Sequence, residues 1–251
     1  MQFKIISFNI RCCDDPNGHS IKERAPRLKK ILQEQKADII GLQECRPKWL
    51  KHLKKDYRKE YLIFHKYRGD KESTPVLISK KRFKVVRKGY FWFSDTPHKK
   101  SVGWDEKYHV PRICMWVILE DRKSGKQIHF MNTHLGFGKE GQRKGVELIY
   151  RHTRKFLQQP VIITGDFNIT PAAPAYAQMT KYFTDVNAAT VNNMRNTYHG
   201  YKTELIGQQI DYCFVGENIV PVDYKLLDTQ FNGKFASDHY GIMAEVSVRE
   251  K

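Results

Sequence analysis

The chain has 251 residues, and its 40% hydrophobic and 12% aromatic content is sufficient for a packed core rich in β-sheet. Lysine and arginine total 44 against 27 aspartate and glutamate residues, and the resulting charge of +17 favours a polyanionic or phosphorylated partner. No apolar run approaches the ~20 residues that span a bilayer. The opening stretch MQFKIISFNIR predicts a strand, not a signal peptide. These features exclude a transmembrane helix and predict a single cytoplasmic domain over residues 1–251.

The five cysteines predict reduced thiols. Cys12 and Cys13 are adjacent, whereas Cys45, Cys114 and Cys213 are far apart in the sequence. No CxxC pair or Cys/His spacing indicates zinc. Free thiols that are mostly buried in the core are typical of a cytosolic protein.

Hydrophobic patterning predicts about eleven strands and four helices, which favours two packed sheets with helices outside. The helices are predicted at Arg24–Gln35, Pro47–Lys55, Gln142–Leu157 and Pro174–Lys181. The strands are predicted, in chain order, within residues 3–10, 37–44, 61–66, 74–80, 85–94, 112–121, 127–135, 160–168, 209–216, 222–228 and 241–248.

Polar residues stand at the ends of six of these apolar runs. Any one of them is compatible with an ordinary turn, since Asn and Asp are common there. Six together, all able to bind a metal or transfer a proton, favour a functional site built on loops at the sheet ends. They are Asn9, Gln43-Glu44, Asn132 to His134, Asp166 with Asn168, Asp211, and Asp238-His239.

Seven ordered segments resemble the endonuclease/exonuclease/phosphatase superfamily, whose members include deoxyribonuclease I. The segments are SFNIR, IIGLQE, PRICMWV, MNTHL, ITGDFN, IDYCFV and SDHYG, and they span residues 3–246. The resemblance implies a four-layer α/β/β/α sandwich in which two mixed β-sheets are flanked by helices. Within the superfamily, the segment ITPAAPAY after GDFN looks like bacterial stand-alone members near nocturnin and the deadenylases.

The resemblance also implies roles for individual residues. Asn9, Glu44 and Asp238 would surround Mg²⁺ or Mn²⁺, which prefer hard oxygen ligands. Asp166 and Asn168 would position the attacking water and the phosphate.

Two histidines complete the implied catalytic group. His239 would contact the phosphate or transfer a proton, with Asp211 hydrogen-bonded to its far nitrogen. His134 would be the second histidine, oriented by Glu72. Arg112 matches an arginine that the family often places near the phosphate.

The substrate is less well specified by the sequence. Trp104, in SVGWDEKYHVPRI, could stack on a base or a sugar, or simply pack within the protein. The basic runs at 47–59 and 80–88 could follow the phosphates of a polynucleotide, or could form a solvated face.

We therefore expect a monomeric, metal-dependent hydrolase of phosphoric esters. The leading prediction is a phosphodiesterase, an endonuclease or exonuclease, acting on nucleic acid or nucleotides. One alternative is a phosphatase for a sugar-, inositol- or nucleotide-phosphate. The other is a non-catalytic module that binds polyanions through its basic surface.

Overall fold

A computed structural model describes residues 1–156, 159–193, 195–202 and 208–249. These residues form two six-stranded sheets, and no described helix is long and apolar enough to cross a membrane. In chain order the strands are β1 (Gln2–Asn9), β2 (Ile39–Gln43), β3 (Tyr61–Phe64), β4 (Val76–Ser79), β5 (Phe83–Trp92), β6 (Ile113–Asp121), β7 (Gln127–His134), β8 (Val161–Asp166), β9 (Thr184–Asp185), β10 (Asp211–Val215), β11 (Ile219–Leu227) and β12 (Gly241–Val248).

Both sheets are mixed. The first has the strand order β11-β12-β1-β2-β4-β3, with β1 and β2 parallel and the other pairs antiparallel. The second has the order β5-β6-β7-β8-β10-β9, with β7 and β8 as its parallel pair. Both parallel pairs lie near the centre of their sheets, so the carboxyl ends of β1, β2, β7 and β8 are available to build a site.

Five α-helices accompany the sheets in the described residues. Four lie on the outer faces, and the short fifth contacts β10 and β11. They are α1 (Ile21–Gln35), α2 (Pro47–Tyr57), α3 (Lys139–Thr153), α4 (Pro174–Tyr182) and α5 (Val186–Ala189).

Three hydrophobic layers hold the elements together. Phe3 and Ile5 of β1 lie between the two sheets. Ile6 and Phe8 of the same strand face outward and pack against α1 and α2, while Ile163 of β8 packs against α3 and α4. Successive strand residues point to opposite faces, so a central strand covered on both sides must be apolar throughout. The predicted four-layer α/β/β/α sandwich is confirmed.

The eleven predicted strands are all present, and the helix boundaries are shifted. The first helix begins at Ile21, not Arg24, because Ser20 and Glu23 form a capping box that the apolar pattern does not reveal. The third helix runs from Lys139 to Thr153, earlier than predicted, and the predicted end at Leu157 lies outside the described residues.

Two buried histidines lie side by side on the outside of the second sheet. His129 and His152 lie among Trp116 and Phe156, with 5.5 Å between the two imidazole centroids. Neither ring nitrogen of His129 has a hydrogen-bond partner in the described residues. Burial, with a contribution from His152, lowers the pKa of His129 to about 3.

We expect acid to destabilise the fold through this pair. In the unfolded chain, His129 takes up a proton near pH 6.5, whereas burial prevents this in the folded chain. The contribution of His129 to the free energy of unfolding is therefore complete above pH 6.5 and is lost as the pH falls below it. In His129→Met, the decrease in the free energy of unfolding as the pH falls should be smaller by up to about 1.4 kcal/mol per pH unit. Urea unfolding at pH 7.5, 6.0 and 5.0 measures this slope, with the exposed His109→Asn as control. Equal slopes for His129→Met and wild type would contradict the assignment.

Candidate active site

The inward-facing positions of five strands change from apolar to polar at one end of the sandwich. In β7, for example, Ile128 and Phe130 belong to the layer between the sheets, and the next positions on that face are Asn132 and His134. The polar side chains are therefore held on rigid strands and buried between two sheets. The inward polar residues at this end are Asn9, Gln43, His134, Asp166 and Asp211.

Asn132 joins the two sheets directly behind this end. Its Nδ2 donates to the carbonyl of Leu42 at 2.9 Å, and its Oδ1 accepts a hydrogen bond from Gln43 Nε2 at 2.8 Å. A Cβ at position 41 would lie 2.5 Å from Asn132 Oδ1, so only glycine permits this approach. These bonds fix the spacing of the sheets, so side chains from both can meet with defined geometry.

Strand register aligns three functional side chains across the second sheet. His134 is paired with Asp166, and Asp166 with Asp211, on three adjacent strands. Neighbouring strands are about 4.8 Å apart, so the side chains on one face stand next to each other.

His239 comes to this row from the loop before β12. Its Nδ1 lies 2.8 Å from Asp211 Oδ2, and both side chains are buried. Burial alone would favour the neutral imidazole, but the charge and hydrogen bond of Asp211 raise the pKa of His239 to about 10. The predicted hydrogen bond between the two residues is present, and it leaves Nε2 of the imidazole facing the cavity.

Both imidazoles point to one carboxylate oxygen. The Nε2 atoms of His134 and His239 lie 3.5 and 3.9 Å from Asp166 Oδ2. Burial and the charge of Asp211 raise the pKa of Asp166 to about 7. Burial, together with Arg112, keeps the pKa of His134 well below its usual range. The pKa values of the two histidines are therefore shifted in opposite directions, and the carboxyl between them has a pKa suited to exchanging a proton near neutral pH.

Glu44 directly follows β2 and has a left-handed backbone conformation, with φ of 61°. Its Oε1 accepts a hydrogen bond from Asn9 Nδ2 at 3.1 Å, and its Oε2 accepts one from the backbone N–H of Cys12 at 2.9 Å. Burial opposes ionisation, but the nearby His134 and these two donors lower the pKa of Glu44 to about 2. Glu44 is thus a carboxylate fixed at the cavity wall.

Asn9 stands between two acids. Its Nδ2 also donates to Asp166 Oδ2 at 2.9 Å, and its Oδ1 accepts from the N–H of Arg11. In this orientation the amide nitrogen, not the oxygen, faces the carboxylates. The amide group lies between the carboxylates of Glu44 and Asp166 and donates a hydrogen bond to each.

Asp238 lines the same cavity and lies close to the guanidinium of Arg11, a residue that was not predicted to belong to the site. Its Oδ2 lies 3.7 Å from Nε of Arg11. The Arg11 guanidinium also binds Asp15 through two hydrogen bonds of 3.0 and 3.1 Å. Arg11 therefore offsets the negative charge of Asp238 on one side of the site.

Glu72 approaches His134 as predicted, with 3.6 Å between Oε1 and Nδ1. Its other oxygen lies 2.9 Å from Arg68 Nη2. Burial and the charge of Glu44 raise the pKa of Glu72 to about 7 against the opposing effect of Arg68. At this distance the carboxyl faces the imidazole without forming a hydrogen bond, and neither Glu72 Oε1 nor His134 Nδ1 has a hydrogen-bond partner in the described residues.

The carboxylates present a donor set that fits a hard divalent cation. Oxygens of Glu44 and Glu72 lie within 4.8 Å of each other, and Asp238 lines the same cavity. Glu72 Oε1 is buried and has no hydrogen-bond partner in the described residues. Mg²⁺ and Mn²⁺ bind such oxygen groups.

Arg112 is held at the cavity wall by a residue that sequence reasoning missed. Its Nε donates to Asp105 Oδ2 at 2.6 Å, and its Nη1 is buried without a partner among the described residues. Asp105 Oδ1 also accepts the backbone N–H groups of Lys107 and Tyr108. Asp105 thus fixes both the arginine and the loop beside it. Its signal in the sequence is the Trp-Asp before Pro-Arg.

The cavity has a volume of about 580 Å³, within the usual range for small-ligand sites. Asn168 borders it, and Tyr108, Phe137 and Tyr198 form its aromatic part. The structure does not bring Trp104 into this cavity. Its indole lines neighbouring depressions instead, with Nε1 3.4 Å from Asp95 Oδ2 and Lys144 over the ring.

The basic run at 80–88 does not line the cavity in the described residues. Asp38 lies at the amino end of β2, and its carbonyl accepts the N–H of Ser79, directly before Lys80. Glu44 is at the other end of the same strand, roughly 20 Å away at ~3.3 Å per residue. The run therefore starts at the far end of the sandwich and continues along edge strand β5.

The sandwich is that of a class of proteins whose members hydrolyse phosphoester bonds. The chain belongs to the endonuclease/exonuclease/phosphatase family, which it matches over residues 6–239. Among curated proteins it is 25% identical over 183 residues to an uncharacterized protein of Acanthamoeba polyphaga mimivirus. That match covers 66% of each chain, so this chain spans just under two thirds of that relative's length.

Solved structures share the fold over almost their whole length. A protein of the same family from Bacteroides thetaiotaomicron has a TM-score of 0.92 and 24% identity, with 100% of this chain and 99% of that chain covered. A mannosyl-6-phosphatase from the same organism has a TM-score of 0.87 and 24% identity, over 98% and 99%. The human nocturnin catalytic domain with bound sulfate has a TM-score of 0.77 and 16% identity, over 99% and 95%.

Proposed function

We propose that this chain hydrolyses phosphoester bonds with the help of a divalent cation, Mg²⁺ or Mn²⁺, and that its substrate is a small phosphorylated molecule. One observation carries the catalytic part. The Nε2 atoms of His134 and His239 converge on Asp166 Oδ2, and Asp211 holds His239 from behind. This arrangement brings together, in one buried position, a proton acceptor (Asp166), an imidazolium (His239) and a second imidazole (His134).

Each group has a task in the hydrolysis. The carboxyl of Asp166, with a pKa of about 7, accepts a proton from the attacking water. The imidazolium of His239 stabilises the charge that develops on the phosphate. The neutral imidazole of His134 orients the phosphate or the water, and Glu72 keeps its ring in place.

The cation would be held by Glu44 and Asp238, with Asn9 and Glu72 beside them. When bound, it supplies neutralisation of the nonbridging oxygens of the phosphate. Arg112 binds the phosphate through its Nη1, which has no partner among the described residues, because Asp105 already engages Nε.

The shape of the site supports a small substrate. The catalytic groups lie in a cavity of about 580 Å³ with an aromatic part formed by Tyr108, Phe137 and Tyr198. Such side chains suit the ring of a sugar or a nucleoside. One fold neighbour, from Bacteroides thetaiotaomicron, is a mannosyl-6-phosphatase.

A phosphodiester in nucleic acid or nucleotides is the second candidate, and the charge of +17 favours it. Five cationic side chains border the cavity in the described residues: Arg11, Arg46, Arg68, Lys107 and Arg112. The non-catalytic alternative has less support, because the family is one of hydrolases.

A substrate panel tests the proposal. Protein freed of metal by a chelator is offered plasmid DNA, RNA, dinucleotides and a set of sugar-, inositol- and nucleotide-monophosphates, with and without Mg²⁺ or Mn²⁺. We expect release of inorganic phosphate from monoesters only when a cation is added, and almost none from Asp166→Asn. Full activity after chelation would contradict the metal requirement. Cleavage of DNA or RNA alone would select the second candidate.

Reversing the charge of Lys80 and Lys81, at the far end of the sandwich from the cavity, is a second way to distinguish a small substrate from nucleic acid. For a small substrate, Lys80→Glu with Lys81→Glu should leave KM within about twofold of wild type, because both side chains are exposed and far from the cavity. Arg112→Ala should raise KM roughly tenfold or more in the same assay. Arg82 is left unchanged, since its Nε pairs with the buried Asp121 at 2.6 Å. A large rise of KM in the double lysine variant would favour a long polyanionic substrate.

A further inference from the structure

A second cavity, the outer cavity, lies on the outside of the second sheet, between α3 and the loop that follows β5. It has a volume of about 370 Å³, at the lower end of the range for small-ligand sites. Phe91, Pro97 and Leu148 form its apolar part. Within the part of the chain that the structure describes, it shares no lining residue with the catalytic cavity. The two cavities can therefore bind different ligands.

His152 is a buried polar side chain on the wall of the outer cavity. The residue is only 9% exposed, and its Nε2 is buried with no hydrogen-bond partner among the described residues. Its ring lies beside Phe91, with 4.8 Å between the centroids. Burial, with contributions from Lys155 and His98, lowers the pKa of His152 to about 4. A buried imidazole without a partner is costly, and a ligand that hydrogen-bonds to it would offset this cost.

Trp104 supplies an aromatic wall to the outer cavity. The indole is half-buried, and its Nε1 lies 3.4 Å from Asp95 Oδ2. Its backbone is held on both sides, because its N–H donates to the carbonyl of Phe93 at 3.3 Å and α3 approaches its own carbonyl. A Cβ at Gly141 would lie 2.0 Å from that carbonyl oxygen. The indole is thus a firmly held, partly exposed surface that suits a flat ring.

The rim of the outer cavity is basic. Arg151 and Lys155 are exposed at the end of α3 and just beyond it, and His98 is exposed on the loop after β5. The Nε of Arg151 has only a loose contact with Glu147 Oε1, at 3.9 Å. Asp95 is the one acidic lining residue in the described part of the chain. The balance of charge therefore favours an anionic ligand.

We propose that the outer cavity is a second ligand site, separate from the catalytic cavity, for a small aromatic anion. Its flat ring lies against Trp104, its acidic group is bound by Arg151 and Lys155, and His152 supplies a hydrogen bond. The residue after Trp104 is Asp105, which holds Arg112 in the catalytic cavity, so the ligand contacts the loop that positions Arg112. Binding requires neither the cation nor the substrate, so it can be measured even if the proposed function is wrong.

Fluorine NMR tests the site at a single residue. The full chain is labelled with 5-fluorotryptophan at its four tryptophans, and the Trp104 signal is assigned with Trp104→Phe. We titrate 2-naphthoate in the presence of a chelator. The Trp104 signal should shift saturably with a Kd of about 1 mM or tighter. The signal of Trp49, which packs in the opposite outer layer, should not shift.

Two comparison ligands test the charge of the ligand. The neutral 2-naphthamide should bind at least about fivefold more weakly than 2-naphthoate, because it lacks the charge that the basic rim requires. With 2-naphthylphosphonate, the tighter of the two acids shows whether the site prefers a carboxylate or a phosphonate. Absence of a shift at Trp104 with either acid would overturn the proposal, and so would equal affinity for the acids and the amide.

Substitutions at the rim test which side chains bind the acidic group. Arg151→Gln with Lys155→Gln should weaken naphthoate binding at least about fivefold and leave naphthamide binding unchanged. The control with the same change of charge is Lys123→Gln with Lys126→Gln, two exposed lysines between β6 and β7, at the other end of β6 from the outer cavity. Equal naphthoate affinity in the two double variants would overturn the proposal.

His152→Phe tests the buried imidazole, since phenylalanine retains an aromatic ring beside Phe91 but cannot form a hydrogen bond. It should weaken both naphthoate and naphthamide by roughly threefold or more. Unchanged affinity for both ligands would remove His152 from the site. Thermal melting checks that the variant is folded, and the rim variants test the site independently if it is not.

Discussion

Replacing His239 with alanine should lower kcat by about 10²- to 10⁴-fold, the usual contribution of an oriented acid–base or electrostatic group. The expectation rests on the 2.8 Å bond between His239 Nδ1 and Asp211 Oδ2, which directs Nε2 towards the cavity. Asp211→Asn should lose much of the same factor, because the amide keeps the size of the carboxylate but no longer stabilises the imidazolium. Steady-state assays on the best substrate of the panel measure both losses.

The double variant tests whether the pair acts as one unit. If it does, Asp211→Asn with His239→Ala should be barely slower than His239→Ala alone. Independent residues would instead give multiplied losses, and the pairing would then have no catalytic meaning. His199→Phe is the matched control, since His199 is equally buried nearby but stacks on Tyr240, with 4.2 Å between the ring centroids.

Stability must be measured with this series. His239→Ala leaves the Asp211 carboxylate buried and without its partner, which costs about 3–5 kcal/mol in comparable cases. The alanine variant should therefore melt at a lower temperature, whereas the double variant should recover part of the loss. Assays are run well below the lowest melting temperature. A near-normal kcat in folded His239→Ala would remove His239 from the mechanism.

Glu44→Gln is expected to produce the second large effect, on metal affinity and activity together. The glutamine retains its size and can still accept the N–H of Cys12, but it lacks the negative charge that a hard cation requires. Mg²⁺ affinity should fall roughly tenfold or more. Calorimetric titration with Mg²⁺ measures the binding, and initial rates at rising Mg²⁺ measure the activity.

The matched control for this prediction is Glu140→Gln, since Glu140 is an exposed glutamate paired with Arg143 on α3. It should bind Mg²⁺ and turn over substrate as the wild type does. If Glu44→Gln binds Mg²⁺ with unchanged affinity but is inactive, Glu44 acts on substrate or water, and the cation must be held by other residues. If it binds normally and is fully active, Glu44 has no role in the site.

Local sequence patterns were sufficient for most elements of this fold. Each of the eleven predicted strands is a short apolar run bounded by turn residues. A run of this length buries its side chains by forming a strand within a sheet. The strand β9 was not predicted because Thr184 and Asp185 alone carry no periodicity. The start of α1 was misplaced because the signal is a cap formed by Ser20 and Glu23, whereas the hydrophobic face begins later.

The order of motifs along the chain also predicted which residues gather at the site. His134, Asp166 and Asp211 end or begin strands whose register sets them side by side. A polar residue at the end of an apolar strand has little freedom, so its position follows from the sheet. The catalytic roles assigned to these residues remain predictions until the variants are assayed.

By itself, then, the sequence determined the strands, the sandwich and the polar residues at one end of it, because these follow from local burial and alternation. Only the tertiary structure decided which distant groups share a space. It directed Trp104 away from the cavity, put Lys80 at the far end of the sandwich, and brought Cys12 close to Glu72. These outcomes depend on the turning of loops and on the packing of one sheet against the other. Pairs far apart along the chain leave no periodic pattern, so their contacts are fixed only when the two sheets come together.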